Sequence, residues 1–149
     1  MRSTLEDYPK LLEKVGLFIV LFNAIDSMLN TEFYFKIDQT NDKTRPILDN
    51  LISQDFSKKL DMLEIILGND LYLKIKDLND FRNFIAHGMY GVNELKGISI
   101  SKRKRYSGKY ENISLNEEII NKHVDSEREV MDSIYKLILG KIPRVKNNK

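Results

Sequence analysis

Apolar residues recur at Leu11, Val15, Phe18, Phe22, Ile25, Leu29 and Phe33. Steps of three and four residues trace one face of a helix, so a helix is expected from about Tyr8 to Ile37. Its middle adds Leu17, Ile19, Val20 and Leu21 and is apolar nearly all round. Such a segment is expected to be buried on two sides, by the rest of the chain and by a second subunit. Thr4 with Asp7 is expected to cap its start, and Pro9 is tolerated in a first turn.

The polar stretch QTNDKTRP breaks the pattern. It resumes at Ile47, Leu48, Leu51 and Ile52, then at Phe56, Leu60, Leu63, Ile66 and Leu67, with SQDFS between. A short helix followed by a longer one is expected. Gly68 suits the end of the longer helix, because glycine accepts a positive φ without steric cost, and Asn69 or Asp70 is expected to cap the next one. That next helix carries Leu71, Ile75, Leu78, Phe81 or Arg82, and Ile85, and Gly88 is its natural stop. The character then changes. In GISISKRKRYSGKYENISL, residues 97–115, isoleucines alternate with serines around a basic run, which predicts a small β-hairpin with a basic rim or an irregular loop. A last helix follows, with Ser114 and Glu117 as a capping box and Ile120, Val124, Val130, Ile134, Leu137 and Ile138 on its core side. The expected fold is all-α: an up-down bundle of four to five helices with a small β-hairpin or loop insertion before the last helix. Residues 1–140 form one domain, and the basic tail 141–149 is expected to lack order.

Composition narrows the picture. A chain of 149 residues supports one sizeable core. Seven glycines and three prolines are too few for the turns of an all-β fold. With no cysteine and two histidines, neither a thiolate nor a histidine-rich metal site is expected, and no cofactor is. The longest apolar run, GLFIVLFNAI, falls short of the roughly 20 residues that span a bilayer. The N-terminus is charged and has no signal-peptide core, so a cytoplasmic, non-membrane protein is expected. The net charge of +2 conceals a division: residues 96–110 hold six basic residues and no acid, and residues 141–149 hold four and no acid. Against a net +2, those ten positive charges leave the remainder at −8. Two basic segments on an acidic body point to an anionic partner such as nucleic acid, or to solvated loops. Lys102, Arg103, Lys104 and Arg105 are the candidate contacts to a phosphate backbone, with Tyr106 and Tyr110 placed to stack on unpaired bases.

The candidate chemistry lies in DFRNFIAHGMYG, Asp80 to Gly91. On a helix, Asn83 and His87 are four residues apart and share a face, with Arg82 about 100° to one side. His87 falls near the helix C-terminus, where the macrodipole favours a cation by roughly 0.3–1 kcal/mol. That suits a histidine exchanging protons near neutrality, while arginine offers a planar, permanently charged fork for phosphate. Ala86 and Gly88 leave room for close approach to the imidazole. This set can cleave RNA: the histidine moves protons to or from the 2′-hydroxyl or the leaving 5′-oxygen, and the arginine stabilises charge on the phosphoryl oxygens. Asn83 would orient one or the other, and Asp26 or Glu32 of the first helix would steady Arg82. A polar helix end making interface hydrogen bonds is the plainer reading of the same residues. His123, in the last helix, reads as a surface histidine.

Arg82-Asn83-Phe84-Ile85-Ala86-His87 resembles the Arg-polar-x3-His motif of HEPN (higher eukaryotes and prokaryotes nucleotide-binding) domains. The resemblance implies a helical bundle that pairs as a homodimer, with the two motifs facing each other as one composite site. It implies a metal-independent endoribonuclease with a toxin, abortive-infection or other antiviral-defence role, held by an antitoxin or another defence protein. Arg82, Asn83 and His87 would be its catalytic residues. The alternative it leaves open is a non-catalytic interaction or nucleotide-binding module of a larger defence assembly. A toxin subgroup of the family carries a modifiable tyrosine two residues after the histidine. Met89 stands there in this chain and Tyr90 follows, so the resemblance does not extend to that modification site.

Overall fold

All seven residues of the first apolar stripe, Leu11 through Phe33, are buried. They form the inner face of helix α1, Pro9–Lys36, in a computed structural model that describes residues 4–36, 41–93, 97–103 and 107–140. Lys104, Arg105, Tyr106 and the tail 141–149 lie outside the described residues, so the expectations placed on them rest on sequence alone. The expected cap at Thr4 is instead a separate 3-10 turn, Thr4–Asp7, and Pro9 opens α1 itself. Leu17, Ile19 and Leu21 pack against the core from its margin, whereas Val20 is 64% exposed.

Helix α2, Arg45–Ile52, and helix α3, Phe56–Leu67, are separated by the SQDFS break as expected. Gly68 ends α3 at φ 82° and directly precedes helix α4, Asn69–His87. One left-handed glycine thus turns the chain, and α4 folds back along α3. Two hydrogen bonds fix that antiparallel register: Tyr72 Oη donates to Asp61 at 2.7 Å, and Asn79 Nδ2 donates to Ser57 Oγ at 3.0 Å. Helix α5, Glu117–Leu139, packs chiefly on α1 and also on α4. Its buried stripe is Ile120, Val124, Glu127, Val130 and Ile134. Asn116 caps it, its side chain accepting from the Ile119 amide at 2.8 Å. The expected capping box is corrected: α5 begins at Glu117, so the cap position falls to Asn116, and Ser114 lies two residues earlier, within β3.

The all-α expectation needs one amendment. The chain is mainly helical, with five α-helices, but the segment before α5 is a three-stranded antiparallel sheet rather than a two-stranded hairpin. Its strands are β1, Met89–Asn93, β2, Gly97–Arg103, and β3, Tyr110–Leu115, in that order. β1 begins two residues after His87, and Met89 pairs with Ser101. Ile98, Ile100 and Leu115 are buried and join the helical core. Sheet and helices therefore share one core, and the motif helix leads straight into the sheet.

Candidate functional site

Gly88 is the joint between α4 and β1. Its amide donates to the Phe84 carbonyl at 2.9 Å, closing the last turn. A Cβ there would collide with Ile100 Cγ2 of β2 and with the Phe84 carbonyl oxygen. Glycine is needed because the sheet is pressed against the end of the helix. Tyr90 strengthens the joint: its hydroxyl donates to the Ile85 carbonyl at 2.5 Å, and burial raises its pKa.

The joint leaves His87 at the rim. It is the last residue of α4, exposed, and among the described residues it has no hydrogen-bond or ionic partner. Asn83, one turn earlier and half-buried, is likewise without a partner among the described residues. Arg82 points elsewhere. Its guanidinium carbon lies 5.0 Å from the centroid of the buried Phe22 ring, and Nη2 donates to Asn79 at 3.0 Å. Asn79 in turn holds Ser57, so Arg82 belongs to a polar chain between α3 and α4, with its guanidinium over the Phe22 ring of α1. Its Nε is buried and has no hydrogen-bond partner among the described residues. At 3.6 residues per turn, the Arg82 and His87 directions differ by about 140°. Within one copy of the chain, Asn83 and His87 share a face and Arg82 does not.

The expected support from α1 is also redirected. Asp26 lies 2.5 Å from Lys59 Nζ, which donates as well to Asn30 and to the Ile52 carbonyl. Lys59 is 3% exposed, and a buried ammonium needs a paired carboxylate, so Asp26 is engaged with Lys59. Glu32 is buried.

The basic strand comes close to the motif. Lys102 follows Ser101, the last β2 residue paired with β1, and reaches the end of α4, whereas Arg103 projects to the opposite face of the strand, with its guanidinium beside Gly108. Lys102 Nζ sits 5.8 Å from the ring centroid of Phe84, inside the motif, within the range of cation–π attraction. Across the strand, Lys102 pairs with Glu111 and Arg103 with Tyr110, which is 56% exposed.

Sequence reasoning placed His123 at the surface; it is half-buried in a groove between α4 and α5. Its ring stacks on Phe81 at 3.6 Å and 10°, with Phe18 edge-on to Phe81 at 5.1 Å. Nδ1 lies 2.8 Å from the Ile119 carbonyl. A carbonyl only accepts, so Nδ1 carries the hydrogen and Nε2 is left for another group. Asp77 and Asp80 line the same groove. Desolvation raises the Asp80 carboxyl above its ordinary value, with Lys76 and Lys102 pulling it down and Asp77 and Glu111 pushing it up. The available signal was positional: His123 directly precedes the buried Val124, at the border of the apolar stripe.

Among the described residues no helix is long and apolar enough to cross a membrane. Compared with protein-family models, curated proteins and solved structures, the chain has no match.

Proposed function

We propose that the chain is a HEPN-type domain, an up-and-down helical bundle acting as a homodimer that cleaves unpaired RNA without a metal ion. Its setting is a toxin-like or abortive-infection defence system in the cytoplasm, where an antitoxin or another defence protein would restrain it. One observation carries the reading: His87 ends α4 exposed and, among the described residues, unpartnered, while Lys102 of the neighbouring strand lies over Phe84 of the same motif. A histidine whose nitrogens are not spent on the fold is free to move a proton on a substrate. His87 would take the proton of a 2′-hydroxyl, the oxygen would attack the adjacent phosphorus, and the 5′-oxygen would leave protonated. The products are a 2′,3′-cyclic phosphate and a 5′-hydroxyl. Arg82 would clamp the phosphoryl oxygens, Asn83 would orient the histidine or the phosphate, and the Lys102–Arg105 run would hold the backbone.

Because Arg82 and His87 diverge, one copy does not bring both to one phosphate; in the composite site that the resemblance implies, Arg82 would leave Asn79 and Phe22 to meet the histidine of the other copy. Helix α1 supports pairing, because Leu12 and Val20 are exposed on one stripe with Gly16 between them, and open space lies above Gly16. The test is cleavage of single-stranded RNA in EDTA by the wild type, Arg82→Ala and His87→Ala. Each variant should lose roughly 100-fold or more, and mixing the two inactive variants should restore part of the activity. Cleavage that survives His87→Ala would remove the assignment.

A second reading has its own support. Arg82 is engaged with Asn79 and Phe22, as expected of a structural residue in a non-catalytic interaction or nucleotide-binding module of a larger defence assembly. That reading predicts no cleavage by any form and a loss of stability in Arg82→Ala.

A further inference from the structure

We propose that Lys102 of β2 is a further catalytic residue, the cation that His87's own chain brings to the scissile phosphate, with Asp80 of α4 as its positioning residue. This assignment rests on the ribonuclease reading and is compatible with a composite site, in which the arginine comes from the other copy.

Cleavage builds negative charge on the phosphoryl oxygens as the 2′-oxygen bonds to phosphorus and the 5′-oxygen departs. A cation placed where the histidine works lowers that barrier. Arg82 of the same chain is turned away: its guanidinium lies over Phe22 and donates to Asn79, about 140° around α4 from His87. Asp80, Asn83, Phe84 and His87, by contrast, fall within one arc of about 100°. Lys102 reaches this arc from the sheet, with Nζ 5.8 Å from the Phe84 ring centroid. Phe84 and His87 are three residues apart, which makes them neighbours on the helix surface. Lys76 shares the arc but lies about three turns from His87. The sheet register agrees. His87 stands two residues before Met89, Lys102 stands one residue after Ser101, and Met89 pairs with Ser101. Histidine and lysine therefore leave the same end of the β1–β2 pair.

The ammonium is held without being consumed. Phe84 offers its ring within cation–π range. Asp80, one turn before Phe84, lies close enough for its carboxylate and Lys102 to attract each other, and Glu111 is the residue across the strand. Lys102 is half-buried, and among the described residues it has no hydrogen bond or ion pair. Its three N–H donors remain for phosphate oxygens. A lysine binds phosphate as a point charge and needs no fork geometry, so a flexible stem over a ring suffices. Lys102 exchanges no proton in the reaction. His87 takes the proton of the 2′-hydroxyl, the 2′-oxygen–phosphorus bond forms, the bond to the 5′-oxygen breaks, and Lys102 stays an ammonium throughout.

The chain has no cysteine, so Lys102→Cys introduces a single thiol that can be alkylated selectively. With bromoethylamine the sulfur displaces bromide and gains an aminoethyl group, which returns an ammonium at nearly the length of lysine. Iodoacetamide adds a neutral amide of similar bulk. Cleavage of single-stranded RNA in EDTA is measured for each form, with kcat and KM separated. Lys102→Cys should lose roughly 100-fold in kcat, as when one donor to a developing oxyanion is removed. Its KM should change about threefold or less, since the contact strengthens in the transition state. Aminoethylation should return most of kcat, and iodoacetamide none of it. Asp80→Asn should cost about fivefold or less on its own and nothing in Lys102→Cys, because a positioning residue acts through the lysine. Lys74→Ala removes one positive charge about 20 Å along α4 from His87 and should leave kcat unchanged. A cleaving wild type beside a Lys102→Cys variant with unchanged kcat, or with only a raised KM, would overturn the assignment and leave the ribonuclease reading standing. Recovery with both reagents, or with neither, would overturn it by making the side chain a packing element. An Asp80→Asn loss that persists in Lys102→Cys would remove Asp80 from its role. No cleavage by the wild type would overturn the ribonuclease reading and this assignment with it.

Discussion

His87 and His123 are the chain's two histidines, and the fold surrounds them in opposite ways. His87 ends a helix, exposed, without a partner among the described residues. His123 is half-buried, stacked face to face on Phe81 and bonded to the carbonyl one turn behind it. A ring with all of its contacts inside the molecule contributes to stability and offers one nitrogen to a groove. A ring with none contributes little to stability and offers both nitrogens to whatever approaches. The same residue type thus serves packing in one place and remains available for chemistry in the other. The neighbours decide which.

That contrast is tested first at Gly88, where the largest effect is expected. Gly88→Val places a branched side chain into Ile100 and the Phe84 carbonyl. Overpacking of this kind costs about 3 kcal/mol or more where backbone blocks it, so the midpoint of urea denaturation should fall sharply. A midpoint within error of wild type would mean that the helix–sheet joint is looser than described.

Glu127 gives the next effect, with the opposite sign. It lies in the buried stripe of α5, wholly inaccessible, and among the described residues neither carboxyl oxygen has a hydrogen-bond partner. Desolvation pushes its pKa up from 4.5 to about 9, opposed only in part by Arg128. A carboxyl with a raised folded pKa keeps its proton where the unfolded chain has lost it. Its share of stability is therefore fully present below pH 4.5 and is lost as the pH rises towards about 9. Glu127→Met should stabilise the protein at neutral pH by about 2 kcal/mol, the cost of an unsatisfied buried polar group. It should also flatten the decline of stability across that pH window. Chemical denaturation at several pH values checks both.

The histidines themselves come third. His123→Ala should cost about 1 kcal/mol through the lost stack and hydrogen bond, and His87→Ala less than about 0.5 kcal/mol, as at an ordinary surface site. Equal losses in thermal melts would erase the distinction between them. The smallest effect is electrostatic. Lys102→Ala with Arg103→Ala should weaken RNA binding alike across sequences and lower the slope of log K against log salt by roughly 2. An unchanged slope would leave the basic strand as a solvated edge.

The helical part of the fold was legible because its signal is local. All seven residues of the α1 stripe, and Ile75, Leu78 and Ile85 of α4, fall inside as their spacing predicts. What was hidden depends on contacts far along the chain. Strand β1 is five residues, with a glycine at its centre, and exists through its pairing with β2. Glu127 continues the apolar stripe of α5 with a charged residue type, so periodicity passed over it. In the site, the helix end and the exposure of His87 could be anticipated from Gly88. The inward turn of Arg82 could not, because it is set by Phe22, which is 60 residues away in sequence, and by the capture of Asp26 by Lys59.

The most direct test of the account is to measure RNA cleavage in EDTA by the wild type, His87→Ala and His123→Ala, with folding of all three verified by circular dichroism. Wild type and His123→Ala should yield 2′,3′-cyclic phosphate ends, and His87→Ala none. Cleavage that persists without His87 and disappears without His123 would contradict it and move the chemistry to the groove between α4 and α5.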